Sequence, residues 1–133
     1  MAGQQTHATV TLVPVPEVDD TELGGVLQDT AGVHPGIDLI RDGIQLLATD
    51  QLTVDQTQVV LATLVGSPDS TDILAALGLL IARLTDPDSN PAIRTLDLAA
   101  QKTAQHQGQL TAHNLLDPDL RNTTSEACAA LDG

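Results

Sequence analysis

Not one of the 133 residues is Phe, Tyr or Trp. Any core must therefore be built from aliphatic side chains, and the 41% apolar content comes almost wholly from Leu, Ala, Val and Ile. The same absence narrows function. No ring is present for stacking on bases, for caging a methylated amine or for tyrosine acid-base chemistry.

A chain of this length fits one domain and needs neither disulfides nor a structural metal to bury a core. The apolar pattern predicts an all-α fold, a bundle of four to five helices over residues 17–133, preceded by an extended or flexible arm over 1–16. In the arm, Thr9 to Val13 alternates and then meets Pro14 and Pro16, the pattern of a short extended piece. Val18 to Asp29 reads as a weak helix, because Gly24 and Gly25 interrupt it. From Pro35 onward, Ile37, Ile40, Ile44 and Leu47 recur at spacings of three and four, one face of a helix. Thr53 with Gln56 is a capping box, and its helix runs to Gly66. A helix over Pro68 to Leu84 is apolar on nearly every side, so Ile73, Leu74, Leu77, Leu80, Ile81 and Leu84 are expected at the centre of the core.

Ser89 or Asn90 is then expected to cap a new helix whose first residue is Pro91, with Arg94 and Asp97 expected as an exposed pair. Beyond Gln105 the sequence turns polar around Gly108, so this helix is expected to be exposed or kinked in its second half. Asp117-Pro118 starts a last helix that reaches Leu131.

Charge and cysteine content bound the partners. Eighteen acids against five Lys and Arg give a formal charge of −13, which opposes attraction to phosphates or an anionic membrane surface. The expected partner is another protein or a second copy of the chain, with no direct nucleic acid and no membrane. The longest apolar run, Ile73 to Ile81, is less than half of the roughly 20 residues a span requires. Cys128 is the only cysteine, so no intrachain disulfide can form, and the N-terminus lacks a basic, apolar leader pattern. A cytoplasmic setting is the expectation.

The segment "DSTDIL" resembles the phosphopantetheine attachment motif of acyl carrier proteins, in which a serine after an aspartate opens a helix of a small acidic bundle. That resemblance covers about six residues and would make Ser70 the attachment point. Thr71 stands where the family has a hydrophobic residue, and the preceding apolar run ends at Val65, leaving a short loop. Ser67 and Asp69 have the simpler reading of helix caps. His106 and His113 are seven apart, roughly 10 Å along a helix, too far for one zinc ion to hold both. No nucleophile triad, phosphate loop or metalloprotease helix is present, so no catalytic residue, cofactor or metal is assigned and the chain is read as no enzyme. Cys128, between two alanines, reads as a small buried apolar residue.

The acids concentrate near helix starts, which fits capping better than a DNA-mimicking array. What remains is a small acidic protein that acts by binding, as regulator or adaptor. The alternative is a self-assembling structural subunit, for example of a phage particle. The expected partner-binding face lies on the helix around Gly108 and comprises Ala104, Gln107, Leu110 and Thr111.

Overall fold

A computed structural model describes residues 13–67 and 69–132. Residues 1–12, most of the expected arm, lie outside the described residues. The fold is all-α, with six α-helices and no strand among the described residues. The chain falls into two compact units, Met1–Leu52 and Thr53–Gly133, where the sequence pattern grouped residues 17–133 together.

The first unit contains α1 (Glu22–Asp29) and α2 (Pro35–Thr49). Thr21 caps α1 by accepting the Gly24 N–H at 3.1 Å, and Val18 and Leu27 are its buried apolar residues. Gly24 does more than weaken this helix. A Cβ there would overlap the Val18 carbonyl, so only glycine lets the incoming strand of chain cross the first turn. Arg41 on α2 donates from Nε to the Leu27 carbonyl at 2.6 Å, and ion-pairs through Nη1 with Asp38 at 3.2 Å. The α2 stripe of Ile37, Ile40, Ile44 and Leu47 forms as the spacing predicts, but no α2 residue is buried.

The second unit begins with α3 (Val54–Leu61). Both halves of the expected capping box form: Gln56 N–H donates to the Thr53 hydroxyl and Thr53 N–H to Gln56 Oε1. A wide π turn, Ala62–Gly66, prolongs the helix and breaks at Val65. Then come α4 (Ile73–Leu84), α5 (Leu98–Leu115) and α6 (Asn122–Ala130), with 3-10 turns at Pro91–Thr95 and Pro118–Arg121. Helix α6 packs on the π turn and α3. Gln58 Nε2 donates to the Cys128 carbonyl at 2.7 Å.

The pair α4 and α5 is the main packing contact of this unit, and its seam corrects the expected core. Ala75, Gly78, Gly108 and Ala112 are buried there. Ile73, Leu80 and Leu84 are instead 46%, 41% and 50% exposed, while Leu74, Leu77 and Ile81 are half-buried. Small side chains let the two backbones approach, which turns the bulky ones off the seam. A Cβ on Gly78 would stand 3.3 Å from the Ala112 Cα, and one on Gly108 would stand 2.7 Å from the Thr85 Cβ.

Three further expectations are corrected. Of the two outcomes expected beyond Gln105, exposure holds for Gln107, Gln109, Leu110, His113 and Asn114, but the kink does not: α5 runs unbroken through Gly108 to Leu115, and that glycine is buried where Thr85 comes close. Arg94 and Asp97 do not pair: the Arg94 Nε donates to the Pro87 carbonyl at 2.6 Å, and Asp97 caps α5 through the Ala100 N–H at 2.8 Å. Cys128 is half-buried, not fully buried.

Candidate functional site

The loop between the π turn and α4 carried the sharpest motif of the sequence. Its chemistry is mostly spent on the fold. Asp72, not Ser67 or Asp69, caps α4 by accepting the Ala75 N–H at 2.9 Å. Both Asp72 oxygens also receive the Arg121 guanidinium, Oδ2 from Nε at 3.0 Å and Oδ1 from Nη2 at 2.8 Å. Arg121 is 1% exposed, and its Nη1 donates to the Leu115 and Asp117 carbonyls. The guanidinium hydrogen bonds hold the Asp72 carboxyl below its usual range against the opposing effect of burial, and Asp72 in turn raises Arg121. Such a buried pair is tolerable only because every polar atom has a partner.

Ser70 sits in the same loop with φ of 58°, the left-handed region that costs a non-glycine residue energy. Its hydroxyl donates to the Leu116 carbonyl at 2.8 Å. A phosphodiester on that oxygen would forfeit this bond. Asp69 lies exposed beside it, its carboxyl lowered first by the Ser67 hydroxyl and then by Thr71.

Helix α5 places the four expected partner-binding residues unequally. Gln107 and Leu110 are exposed, whereas Ala104 and Thr111 are half-buried on the side that carries Gly108. The Thr111 hydroxyl donates to the Gln107 carbonyl at 2.9 Å, within the helix. His106 and His113 are both exposed. No group of three or more His, Cys, Asp or Glu gathers in metal-holding geometry among the described residues.

Between α1 and α2 lies an open cleft of about 450 Å³, lined in part by Asp19, Gln28, Arg41 and Gln45. Its cation is already committed, since Arg41 holds the Leu27 carbonyl and Asp38.

The acids have a local use that the composition alone does not show. Asp38, Asp50, Asp72, Asp86, Asp97 and Asp117 each accept a backbone N–H at a turn or helix start. Asp72, Asp97 and Asp117 thereby satisfy donors that helices leave orphaned, and Asp38, Asp50 and Asp86 close turns.

Aliphatic surface is the feature left without an internal use. On α4, Ile73, Leu80 and Leu84 share the side turned from α5. On α2, Ile37, Ile40, Ile44 and Leu47 are each 37–40% exposed, and Leu39 on another side is 71% exposed. The periodicity of α2 was legible in sequence, but that its stripe would be only partly covered was not. The Asp72–Arg121 clasp was also missed, because its partners lie 49 residues apart. No helix among the described residues is long and apolar enough to cross a membrane. Comparison with protein-family models, curated proteins and solved structures finds no match for the chain.

Proposed function

We propose that this chain is a non-enzymatic protein-binding module, a regulator or adaptor, that works by laying aliphatic helix surface against a protein partner. One observation carries the reading: α2 spans 15 residues, has none buried, and presents Ile37, Ile40, Ile44 and Leu47 in a row. A helix of that length is marginal in water on its own and draws its stability from packing. Gly36 and Gly43 within it add to the cost. Cover from a partner would supply what the first unit lacks. Asp38 and Asp42 stand off the stripe, so the contact would be apolar, with the acids at its margin.

Self-assembly is the second reading, favoured by the same residues. Their 3-4-3 spacing, with β-branched Ile followed by Leu, is that of a helix pairing with its like.

Replacing Ile40 and Ile44 together by Gln keeps helix propensity and removes the stripe. Light scattering over a range of concentrations then separates the readings. A mass that grows with concentration in the wild type and not in the variant supports self-assembly. A monomer that retains a specific protein partner, lost in the variant, supports the adaptor. If wild type and variant behave alike in both measurements, the stripe is not the working surface.

A further inference from the structure

We propose that the partner seated on α2 is a basic amphipathic helix, an aliphatic row with Lys or Arg at its margins. With α2 as the working surface proposed above, on which this rests, charge decides what can cover it. The first unit holds eight Asp and Glu against a single Lys or Arg, Arg41. That cation is half-buried and already shared between the Leu27 carbonyl and Asp38. A second copy approaching through the same unit would set seven uncompensated negative charges against seven, an arrangement that like-charge repulsion opposes.

The placement of the acids points the same way. Glu17, Asp19, Asp20 and Glu22 are exposed before or within the first turn of α1, where the helix dipole favours them. Asp29 and Asp50 stand at the opposite ends. Asp29 is the last residue of α1, Asp50 is the C-cap of α2, and both are exposed. Neither helix has a basic residue in its last turn. An acid at a helix C-terminus adds to the negative end of the dipole, a cost that a nearby cation would offset. Among the described residues no ion pair provides that cation at either end. The Asp50 carboxylate accepts the Gln51 N–H at 3.0 Å, which leaves its charge uncompensated. Asp50 follows Leu47 by three residues, so the stripe runs into this negative end. At its flank, the cleft between α1 and α2 brings Asp19 beside Arg41 and Gln45, the residues that follow Ile40 and Ile44. A cation on the partner thus finds an acid at the flank and at the end of the row. The row itself, at spacings of three and four, matches the ridges of another helix and not the two-residue alternation of a strand. Exposed charge pairs contribute little each and are screened by salt. The aliphatic row therefore supplies affinity and the basic margin selects the partner.

Isothermal titration of the full chain with three synthetic peptides of equal length tests this. The first is a helix former with Leu at the spacing of the stripe and Lys at the flanks. The second has Glu in place of Lys, and the third keeps the composition of the first with its Leu shuffled off one face. The first should bind at least about tenfold more tightly than either of the others, and should weaken about tenfold between about 50 and about 300 mM salt. Asp29→Asn with Asp50→Asn keeps the side-chain acceptors and should leave the fold at least as stable, while weakening the first peptide and flattening its salt dependence. A first peptide that does not bind, or that binds no better than the second or the third, overturns the proposal. So does binding that the Asn variant leaves unchanged, or a wild-type dimer that Ile40→Gln with Ile44→Gln abolishes, since a second copy would then be the occupant. Failure of the underlying reading looks different: Ile40→Gln with Ile44→Gln would bind the first peptide as the wild type does, which removes α2 as the surface.

Discussion

Arg121 holds Asp72 through two parallel hydrogen bonds across 49 residues of chain, and the same carboxylate caps α4. One side chain thus starts a helix and receives the loop that leads into α6. Substituting Arg121→Met leaves a buried carboxylate unpaired and should cost about 3–5 kcal/mol in chemical denaturation of the second unit. Asp72→Asn keeps a capping oxygen but strands the guanidinium, and should cost a similar amount. The double variant should lose less than the sum of the two. Full additivity would show that the pair is not coupled.

The clasp also fixes an acid response. Asp72 has a folded-state pKa below its unfolded value, held there first by its hydrogen bonds from Arg121. Its contribution is therefore complete above the unfolded carboxyl value of about 3.9 and is lost as pH falls through the folded one. Stability should decline more steeply below about pH 4 in the wild type than in Asp72→Asn. Parallel pH curves for the two would count against the assignment.

Two glycines in helices should respond in opposite ways to alanine. Around Gly25 nothing lies within 4 Å of an added Cβ, so Gly25→Ala should stabilise by up to about 1 kcal/mol through helix propensity. At Gly108 the same change meets Thr85, a β-branched residue whose hydroxyl already donates to the Ile81 carbonyl at 2.8 Å. Gly108→Ala should destabilise by about 1–3 kcal/mol despite the better propensity. Thermal melts followed by circular dichroism give both signs.

At Ser70 the positive φ and the hydroxyl bond to Leu116 set an order of tolerance. Ser70→Gly should be near neutral, trading a hydrogen bond for an easier backbone. Ser70→Ala should cost about 1 kcal/mol, and Ser70→Val more, since left-handed geometry is worst for branched side chains. Incubation with coenzyme A and a promiscuous phosphopantetheinyl transferase should leave the intact mass unchanged. A gain of one phosphopantetheine on Ser70 would make the chain a carrier.

The α5 face has its own test. Gln107→Glu with Leu110→Glu puts charge on the two exposed positions of that face and should disrupt association if the face is used, with little effect on the fold. Association that survives the change while Ile40→Gln with Ile44→Gln abolishes it would assign the work to α2.

Helix starts were the most legible part of this chain. The Thr53–Gln56 box and the Asp117 cap follow from residues within four positions of one another, whereas Asn90 and Pro91 open only a 3-10 turn and the helix expected there starts later, at Leu98 with Asp97 as its cap. Legibility failed where a distant residue decides. Ser67, Asp69 and Asp72 are all capping types, and Asp72 is chosen because Arg121 reaches it from another helix. Hydropathy ranked Ile73, Leu80 and Leu84 above Ala75 and Gly78 as core. The seam selects the small pair because Ala112 and Gly108 face it, a choice written in shape and not in apolar character. Of the candidate face, position on α5 was readable from periodicity. Which residues α4 would half cover was not.

The close approach of Thr85 to Gly108 has a mechanical consequence. Sliding α5 by one turn along α4 would bring Ala104 or Ala112 opposite Thr85, and either would drive a methyl group into the space that Gly108 leaves open. Helices α4 and α5 are therefore held in a single register, set by the one position where the threonine meets no side chain.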